Sequence, residues 1–353
     1  MSATMPAGRL NLRTLEFAVE EVPVPTPGPG EVLVKVEAAG VCLSDIHLID
    51  GTLRLPGNEL EKVTLGHEVA GTIAELGEGV PDVFAEGQRV LLLAGMACGK
   101  CANCVRRRPG CLHGLTRGIE FDGGWAPYTL ARFETVYPIP DSLPIEQAAI
   151  IPDAVSTPYA AITHTAALRP AQSAGIWGIG GLGAHGVQLL RFAGAAPIIA
   201  VDPLPSARER ALKFGADIAL DPLSADFRQQ VLAATDGRGL DYAFDFAGVP
   251  AVRTQADSVL AREGSLVLVG LSGQALSIPN DTAFSAGRHR ILGHYGGLPV
   301  HLEELIKLAG HGRLDFSASI SGRLKFDDAA EAVRQLAEKV NDPIRLVLTP
   351  DGV

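Results

Sequence analysis

The chain has 353 residues, of which 47% are hydrophobic and 20% are charged, and its formal net charge is −10. This length is too great for one ordinary hydrophobic core and fits two domains, and the composition is globular rather than disordered. The negative charge disfavours nucleic acid and anionic membranes as partners. No apolar run approaches the roughly 20 residues of a membrane span, and no hydrophobic signal region begins the sequence.

The first ~150 residues predict a mostly β domain with many loops. Residues Glu31–Ala39 alternate apolar and polar side chains, which is typical of a half-buried strand. Shorter β-like runs follow at Val69–Leu76, Arg89–Leu93 and Tyr128–Ala131, and glycine and proline separate them.

From Ala174 onward, short apolar strands alternate with helical patterns. This alternation predicts a parallel sheet covered by helices on both faces. The predicted elements are strands at Ala174–Trp177, Pro197–Val201, Tyr242–Phe246 and Ser265–Val269, helices at Leu182–Ala193, Ser206–Phe214, His301–Ala309 and Phe326–Glu338, and a final strand at Ile344–Leu348.

The cysteines indicate two metal sites. Four thiols in one short stretch are typical of a closed, tetrahedral Zn²⁺ site, here formed by Cys98, Cys101, Cys104 and Cys111. The fifth, Cys42, lies in G-V-C-L-S-D-I-H, upstream of L-G-H-E at 65–68, and this pairing suggests a second, open site. Because every cysteine is assigned to metal and none remains for a disulfide, we expect a cytoplasmic protein.

A glycine-rich turn predicts a dinucleotide site. The G-x-G-x-x-G pattern of Gly178, Ile179, Gly180, Gly181, Leu182 and Gly183 follows a predicted strand and opens a predicted helix. Gly178 permits the tight turn, Gly180 the approach of a pyrophosphate, and Gly183 close packing of helix on strand. An ordinary glycine-rich βα turn is the alternative.

Asp202 strengthens the dinucleotide interpretation and suggests which cofactor binds. It ends the second predicted strand about 20 residues beyond the glycines, where a carboxylate accepts hydrogen bonds from the adenosine ribose hydroxyls and repels a 2′-phosphate. We therefore predict NAD(H) rather than NADP(H). The alternatives are that Asp202 only caps the next helix, and that the nearby Arg208 changes the preference.

Together the motifs identify a family resemblance. G-V-C-L-S-D-I-H, L-G-H-E, the four-cysteine lobe, P-D-A-V-S-T-P-Y, G-I-G-G-L-G and the terminal I-R-L-V-L occur in order along nearly the whole chain. In this the chain resembles the zinc-dependent alcohol dehydrogenases of the medium-chain dehydrogenase/reductase family. The resemblance implies an α/β fold with a GroES-like, mostly β catalytic domain (1–155 and 296–353) and an inserted Rossmann domain (156–295).

The resemblance also implies the roles of the site residues. Cys42, His67 and Asp153 would bind catalytic Zn²⁺, with Glu68 close to the metal and Asp45 orienting His67. Ser44 and His47 would carry the alcohol proton to solvent. Thr157 would contact the nicotinamide end of NAD(H), and Arg345 its pyrophosphate. In the lobe, six residues separate Cys104 from Cys111, where seven is usual.

Two residues are assigned by resemblance to the substrate pocket. Trp125 occupies a position where relatives line the pocket with an aromatic side chain, with core packing as the alternative. Ala94 replaces a larger aromatic of some relatives, which would favour secondary alcohols or bulky carbonyls. Relatives form dimers or tetramers, so the resemblance implies a homotetramer or a homodimer.

We therefore predict a two-zinc, NAD-dependent enzyme acting on a small alcohol or carbonyl compound. One rival is a zinc-independent quinone or enoyl reductase on the same scaffold, which would not need Cys42, His67 and Asp153 together. The other is a non-catalytic, zinc-stabilised NAD-binding protein, since a fold alone does not define a function. This rival leaves Ser44 and His47 beside an open metal site unexplained.

Overall fold

The structure is a computed structural model that describes residues 3–53, 60–108, 110–278 and 280–352. It divides into two compact units, one formed by the residues up to Asp153 together with those from Leu302 onward, the other by Ala154–His301. The domain boundaries predicted from the sequence, at 155/156 and 295/296, lie two and six residues from the points where these two units meet in the chain. Among the described residues, no helix combines the length and the apolar character needed to cross a bilayer.

The elements are numbered in chain order. The strands are β1 (Thr4–Asn11), β2 (Phe17–Pro23), β3 (Glu31–Val41), β4 (Lys62–Thr64), β5 (Val69–Leu76), β6 (Arg89–Leu92), β7 (Gly95–Met96), β8 (Leu115–Thr116), β9 (Tyr128–Arg132), β10 (Val136–Pro138), β11 (Ala174–Trp177), β12 (Ile198–Val201), β13 (Ile218–Leu220), β14 (Leu240–Asp245), β15 (Leu260–Leu268), β16 (Arg290–Gly293), β17 (Ile320–Lys325) and β18 (Arg345–Thr349). The helices are α1 (Leu43–Ile49), α2 (Ala102–Val105), α3 (Ile145–Ile150), α4 (Ser156–Ala160), α5 (Gly183–Ala193), α6 (Pro205–Lys213), α7 (Phe227–Ala234), α8 (Pro250–Asp257), α9 (Asp281–Gly287), α10 (Pro299–Gly310) and α11 (Ala329–Ala337).

The first unit is built around β3. In the described residues it belongs to a seven-stranded sheet with the order β10-β6-β5-β3-β18-β17, and β9 also pairs with β3. The alternation that predicted this strand is only partly seen, because its neighbours bury both faces and Lys35 alone is exposed. A smaller sheet, β2-β1-β4, packs its Leu10 and Val63 into the same core. The sequence analysis did not predict β1 or β2.

The second unit contains a parallel sheet with the order β13-β12-β11-β14-β15-β16 in the described part of the chain. Counted within the unit this is 3-2-1-4-5-6, the order of dinucleotide-binding Rossmann domains. The predicted Rossmann and mostly β units are therefore both confirmed. The glycine turn lies at the carboxyl end of β11, beside the point where strand order reverses, which is where ligands bind in such sheets.

A π-helical turn interrupts the helical stretch that follows α3. Residues Ile151–Val155 adopt it before α4 begins, and a second π-helical turn covers Ala161–Thr165. Such turns are rare in proteins, and those that do occur are often found at functional sites. The first one contains Asp153, the residue predicted to complete the open metal site.

Candidate metal centres and cofactor site

The open site brings together residues from three separate segments. Cys42 lies between β3 and α1, His67 and Glu68 lie just before β5, and Asp153 comes from the π-helical turn. One ligand atom from each of the four lies within 4.8 Å of all the others. Cys42, His67 and Glu68 are buried and Asp153 is half-buried, so the cluster could hold a metal ion away from bulk water.

The distances fit a zinc ion. The Asp153 Oδ2 atom lies 3.3 Å from His67 Nε2 and 3.4 Å from Cys42 Sγ. Ligand atoms at typical zinc bond lengths in a tetrahedron lie roughly 3.3–3.8 Å apart. Thiolate, imidazole and carboxylate are also the ligand types that zinc accepts. The residues present therefore fit the metal that the sequence predicted.

Asp45 supports both predicted ligands from the first turn of α1. Its Oδ2 atom accepts the backbone N–H of Cys42 at 2.9 Å, and its Oδ1 atom lies 3.4 Å from Nδ1 of His67. Burial would lower the pKa of His67, but Asp45, together with hydrogen bonds to Asp153 and Cys42, raises it well above its usual value. Without a metal the imidazole therefore favours a proton. A bound cation would replace this proton on the nitrogen facing Asp153.

Glu68 is fully buried, and Arg345 faces it. Arg345 comes from β18, is 2% exposed, and places Nη2 3.2 Å from Glu68 Oε1 while Nη1 donates to the Val41 carbonyl at 3.1 Å. Burial raises the pKa of Glu68 to about 7, against the opposing effect of the Arg345 charge. The sequence analysis did not predict these partners, and a role for Arg345 at the pyrophosphate stays a prediction.

Ser44 and His47 lie on α1, close to the open site in sequence. Both are half-buried, and the Ser44 Oγ atom lies 3.7 Å from Cys42 Sγ. Positions three apart on a helix share a face, so the two side chains point to the same side of α1. This arrangement suits a relay, although their catalytic roles stay predictions.

The closed site contains all four predicted cysteines. Their sulfur atoms lie within 4.8 Å of one another, with 3.4 Å between Cys101 and Cys104 and 3.9 Å between Cys98 and Cys104 and between Cys101 and Cys111. Sulfurs around a tetrahedral zinc ion lie about 3.8 Å apart. All five cysteines of the chain are free thiols in this structure. The shorter spacing before Cys111 therefore does not remove it from the cluster.

The electrostatics of the lobe also fit a cation. Backbone N–H groups of Cys104 and Leu112 lower the pKa of Cys101 to about 6. The hydrogen bond to Cys101 and burial raise the pKa of Cys104 to about 12. The thiols thus compete for ionisation, and four thiolates can coexist here only around a metal ion.

Trp125 does not line a pocket, so that prediction was wrong. The side chain is 0% exposed and belongs to the hydrophobic core of the first unit. Its ring meets Phe17 edge-on at 5.9 Å. The other predicted pocket residue, Ala94, is half-buried just beyond β6, and its role stays a prediction.

The glycine turn has the shape that a dinucleotide needs. Gly178 has a φ of +86°, and a Cβ on Gly183 would lie 1.8 Å from the Gly178 carbonyl oxygen. A Cβ on Gly180 would meet no atom of the described chain within 4 Å, so its backbone borders open space where a phosphate can approach. The turn leads into α5, whose first N–H groups can bind phosphate oxygens. The residues thus fit NAD(H).

Asp202 is fixed beside this turn by both of its carboxylate oxygens. Oδ2 accepts the N–H of Ile179 at 2.8 Å, and Oδ1 accepts the N–H of Leu204 at 2.9 Å. Arg208 donates to the carbonyls of Asp202 and Pro203 and forms an ion pair with Asp221. All three contacts are made by Nη1 of Arg208, and the alternative that Arg208 changes the cofactor preference stays open. Thr157 is buried in α4, and its contact with nicotinamide stays a prediction.

Comparisons with known proteins agree with both sites. Residues 28–141 match the alcohol dehydrogenase GroES-like domain model, and residues 181–335 match the zinc-binding dehydrogenase model. Sorbitol dehydrogenase of Bacillus subtilis (strain 168) is 31% identical over 352 residues, covering 96% of this chain and 95% of its own.

Two solved structures share the whole fold. Acetophenone reductase of Geotrichum candidum NBRC 4597, in complex with NAD, has a TM-score of 0.85 and 28% identity and covers 100% of this chain and 99% of its own. A zinc-binding dehydrogenase structure from Sinorhizobium meliloti 1021, bound to NADP, has a TM-score of 0.89 and 28% identity, covering 99% of this chain and 100% of its own.

We predict that Asp202→Gly lowers the preference for NADH over NADPH. The change removes a carboxylate that can bind ribose hydroxyls and repel phosphate, so the ratio of kcat/KM values should fall about tenfold or more. Steady-state kinetics with both cofactors measures it. Asp217→Gly is the matched control, because Asp217 also accepts a backbone N–H, that of Ile198, but at the amino end of β12. An unchanged ratio in Asp202→Gly would exclude this role.

Proposed function

The chain belongs to the zinc-dependent alcohol dehydrogenases of the medium-chain dehydrogenase/reductase family, and from this premise we propose that it oxidises secondary or bulky alcohols and reduces the matching ketones and aldehydes. It is an oxidoreductase that transfers a hydride between NAD(H) and an alcohol–carbonyl pair. The convergence of Cys42, His67 and Asp153 carries the proposal, since a zinc-independent reductase has no use for these three ligands together.

The chemistry requires the alcohol to lose a proton and a hydride. When bound, zinc supplies a Lewis acid that lowers the pKa of the alcohol hydroxyl, and NAD⁺ supplies the hydride acceptor. Cys42, His67 and Asp153 hold the ion, and Asp45 keeps the His67 ring in the required orientation. Arg345 faces Glu68 and offsets the negative charge that this buried acid carries when it is ionised.

We assign the removal of the proton to α1. The Ser44 hydroxyl lies close to the metal ligand Cys42, so it can accept the alcohol proton at Oγ while its own proton moves on. His47, three residues further along the same helix and half-buried, passes that proton to solvent. In carbonyl reduction the same groups deliver the proton in the opposite direction.

The preference for secondary or bulky substrates is supported by two observations. Ala94, half-buried beyond β6, carries only a methyl group where some relatives have a larger aromatic, and a pocket lined by it would leave space for a second substituent on the carbinol carbon. Two proteins with similar chains are named for acetophenone, a ketone, and for sorbitol, which contains secondary hydroxyls.

We propose that the protein acts as a homo-oligomer, a tetramer or a dimer, in a reducing cytoplasm. β16 forms one edge of the parallel sheet in the described part of the chain, so its outer edge can pair with another copy. Large apolar side chains are exposed near it, at Leu271, Leu276, Ile278, Tyr295 and Leu298. The five free thiols, all placed for metal binding, suit a reducing compartment.

Removing the open-site ligands tests the proposed function directly. We expect the Cys42→Ser/His67→Ala double variant to bind one zinc ion per chain instead of two, because the lobe remains intact. Its kcat/KM should fall about 1,000-fold or more, since a Lewis acid contributes several kcal/mol. Metal analysis and NADH-coupled kinetics on the same sample measure both. Cys111→Ser is the matched control, because it removes a ligand of the four-cysteine lobe and should cost the lobe ion rather than the ion of the open site. Two ions retained by the double variant would contradict the open site.

The relay predicts an altered pH dependence for His47→Gln. An imidazole ring can accept and release the relayed proton at its nitrogens, whereas an amide cannot. The variant should therefore lose part of the pH dependence of kcat, while retaining two zinc ions. His311→Gln is the control, because His311 is exposed at the end of α10. A pH–rate profile identical to that of the unmodified protein would remove His47 from the relay.

A larger side chain at position 94 should reverse the proposed substrate preference. Ala94→Phe is expected to lower kcat/KM for 2-butanol and benzyl alcohol relative to ethanol by about tenfold or more, because the added ring occupies the space of the second substituent. The control Ala97→Phe places the same ring at a nearby exposed position. Equal losses for all three alcohols would show that Ala94 does not select substrates.

A further inference from the structure

Trp125 contacts the backbone on both sides of the open metal site. Its indole Nε1 donates to the carbonyl oxygen of Gly40 at 3.0 Å, and Gly40 lies two residues before Cys42 on the same chain segment. The ring also lies directly against Gly66, the residue before His67. A Cβ on Gly66 would approach Trp125 Cδ1 to 2.3 Å.

The backbone around Trp125 joins the same segments. The N–H groups of Gly123, Gly124 and Trp125 donate to the carbonyls of Thr64, Gly66 and Leu65 at 2.7, 2.9 and 2.9 Å. Residues 123–125 thus run along the segment that immediately precedes His67 and Glu68. Gly8 of β1 donates to the Trp125 carbonyl at 2.8 Å. A Cβ on Gly8 would lie 3.1 Å from Cε3 of Trp125, so β1 also packs against the indole.

Glycines make this close contact possible. Gly66 has a φ of +95°, a backbone conformation that residues with a side chain rarely adopt. The absence of a Cβ also lets the indole lie directly on its backbone. Gly40 leaves room for Glu68 instead, because a Cβ there would lie 1.9 Å from Oε2 of Glu68. Gly40 also donates its N–H to the Glu68 carbonyl at 2.9 Å. The segments that carry Cys42 and His67 are therefore joined twice, directly through this backbone hydrogen bond and through the indole that links Gly40 to Gly66.

We propose that Trp125 is a positioning residue for the open metal site, which sets the separation of Cys42 and His67 by linking Gly40 to Gly66. This role rests on the proposed open site but is distinct from it. The indole acts by fixing the two backbone segments that present the metal ligands. A residue that only filled the core would stabilise the unit without a selective effect on one metal site.

The substitution Trp125→Phe tests this role, because it keeps an aromatic ring and removes the N–H donor to Gly40. We expect the affinity of the open site for metal to fall about tenfold while the affinity of the four-cysteine lobe stays unchanged. Cobalt titration against a competing chelator separates the two sites, since thiolate-to-cobalt absorption is stronger for four thiolates than for one.

Trp177→Phe is the matched control. Trp177 is the only other tryptophan of the chain, is 1% exposed, and also donates its indole N–H, to Gln255 at 2.9 Å, but in the second unit. Its replacement should leave both metal affinities unchanged. Equal affinities of Trp125→Phe and the unmodified protein at the open site, or equal weakening of both sites in Trp125→Phe, would overturn the proposal.

A second measurement does not depend on the folding of Trp125→Phe. In Trp177→Phe, Trp125 is the sole tryptophan, and its emission should change as zinc fills the open site of the metal-free protein. Adding Cys42→Ala to this background should abolish the change. Constant emission while the open site fills would overturn the role of Trp125. An unmodified chain that binds metal only in its lobe would overturn the proposed function as well, which distinguishes the two failures.

Discussion

The open site brings several acidic groups close together in the interior, and the structure has to balance their negative charges. The Cys42 thiol and the carboxyl groups of Asp45, Glu68 and Asp153 all lie close to His67, and most of them are buried. Charges so close together cannot all ionise in a poorly hydrated interior. A divalent cation on one side and Arg345 on the other satisfy this requirement. The need for these two positive charges explains why segments from both ends of the first unit meet here.

Much of this organisation could be predicted from the sequence because the decisive patterns are local. Cys98, Cys101, Cys104 and Cys111 are close in the chain, so their spacing alone predicts a shared ion. The glycine turn before α5 is equally local, and its strand and helix were predicted within one residue at each end. For the open site, Cys42 and L-G-H-E suggested a metal, but Asp153 was assigned only through the resemblance, because it is distant from Cys42 in sequence and meets it only in the fold.

What the sequence did not reveal depends on long-range contacts. Trp125 was assigned to a pocket because its position in a motif does not report what surrounds its ring. Its environment is set by Gly8, Gly40 and Gly66, which belong to three separate segments. The partners of Arg345 and the π-helical turn at Asp153 have no periodic signature either. The β1–β2 hairpin was missed because its residues alternate weakly and its core contacts come from elsewhere.

The position of β18 has a consequence for biosynthesis. This strand, Arg345–Thr349, pairs with β3 in the middle of the large sheet, although about 300 residues separate them in the chain. All of the second unit leaves the ribosome before β18 does. Until β18 is synthesised, the large sheet of the first unit lacks the strand that lies between β3 and β17. Until then Glu68 has no Arg345 beside it. The nascent chain therefore acquires a charge-balanced open site only after β18 has been synthesised.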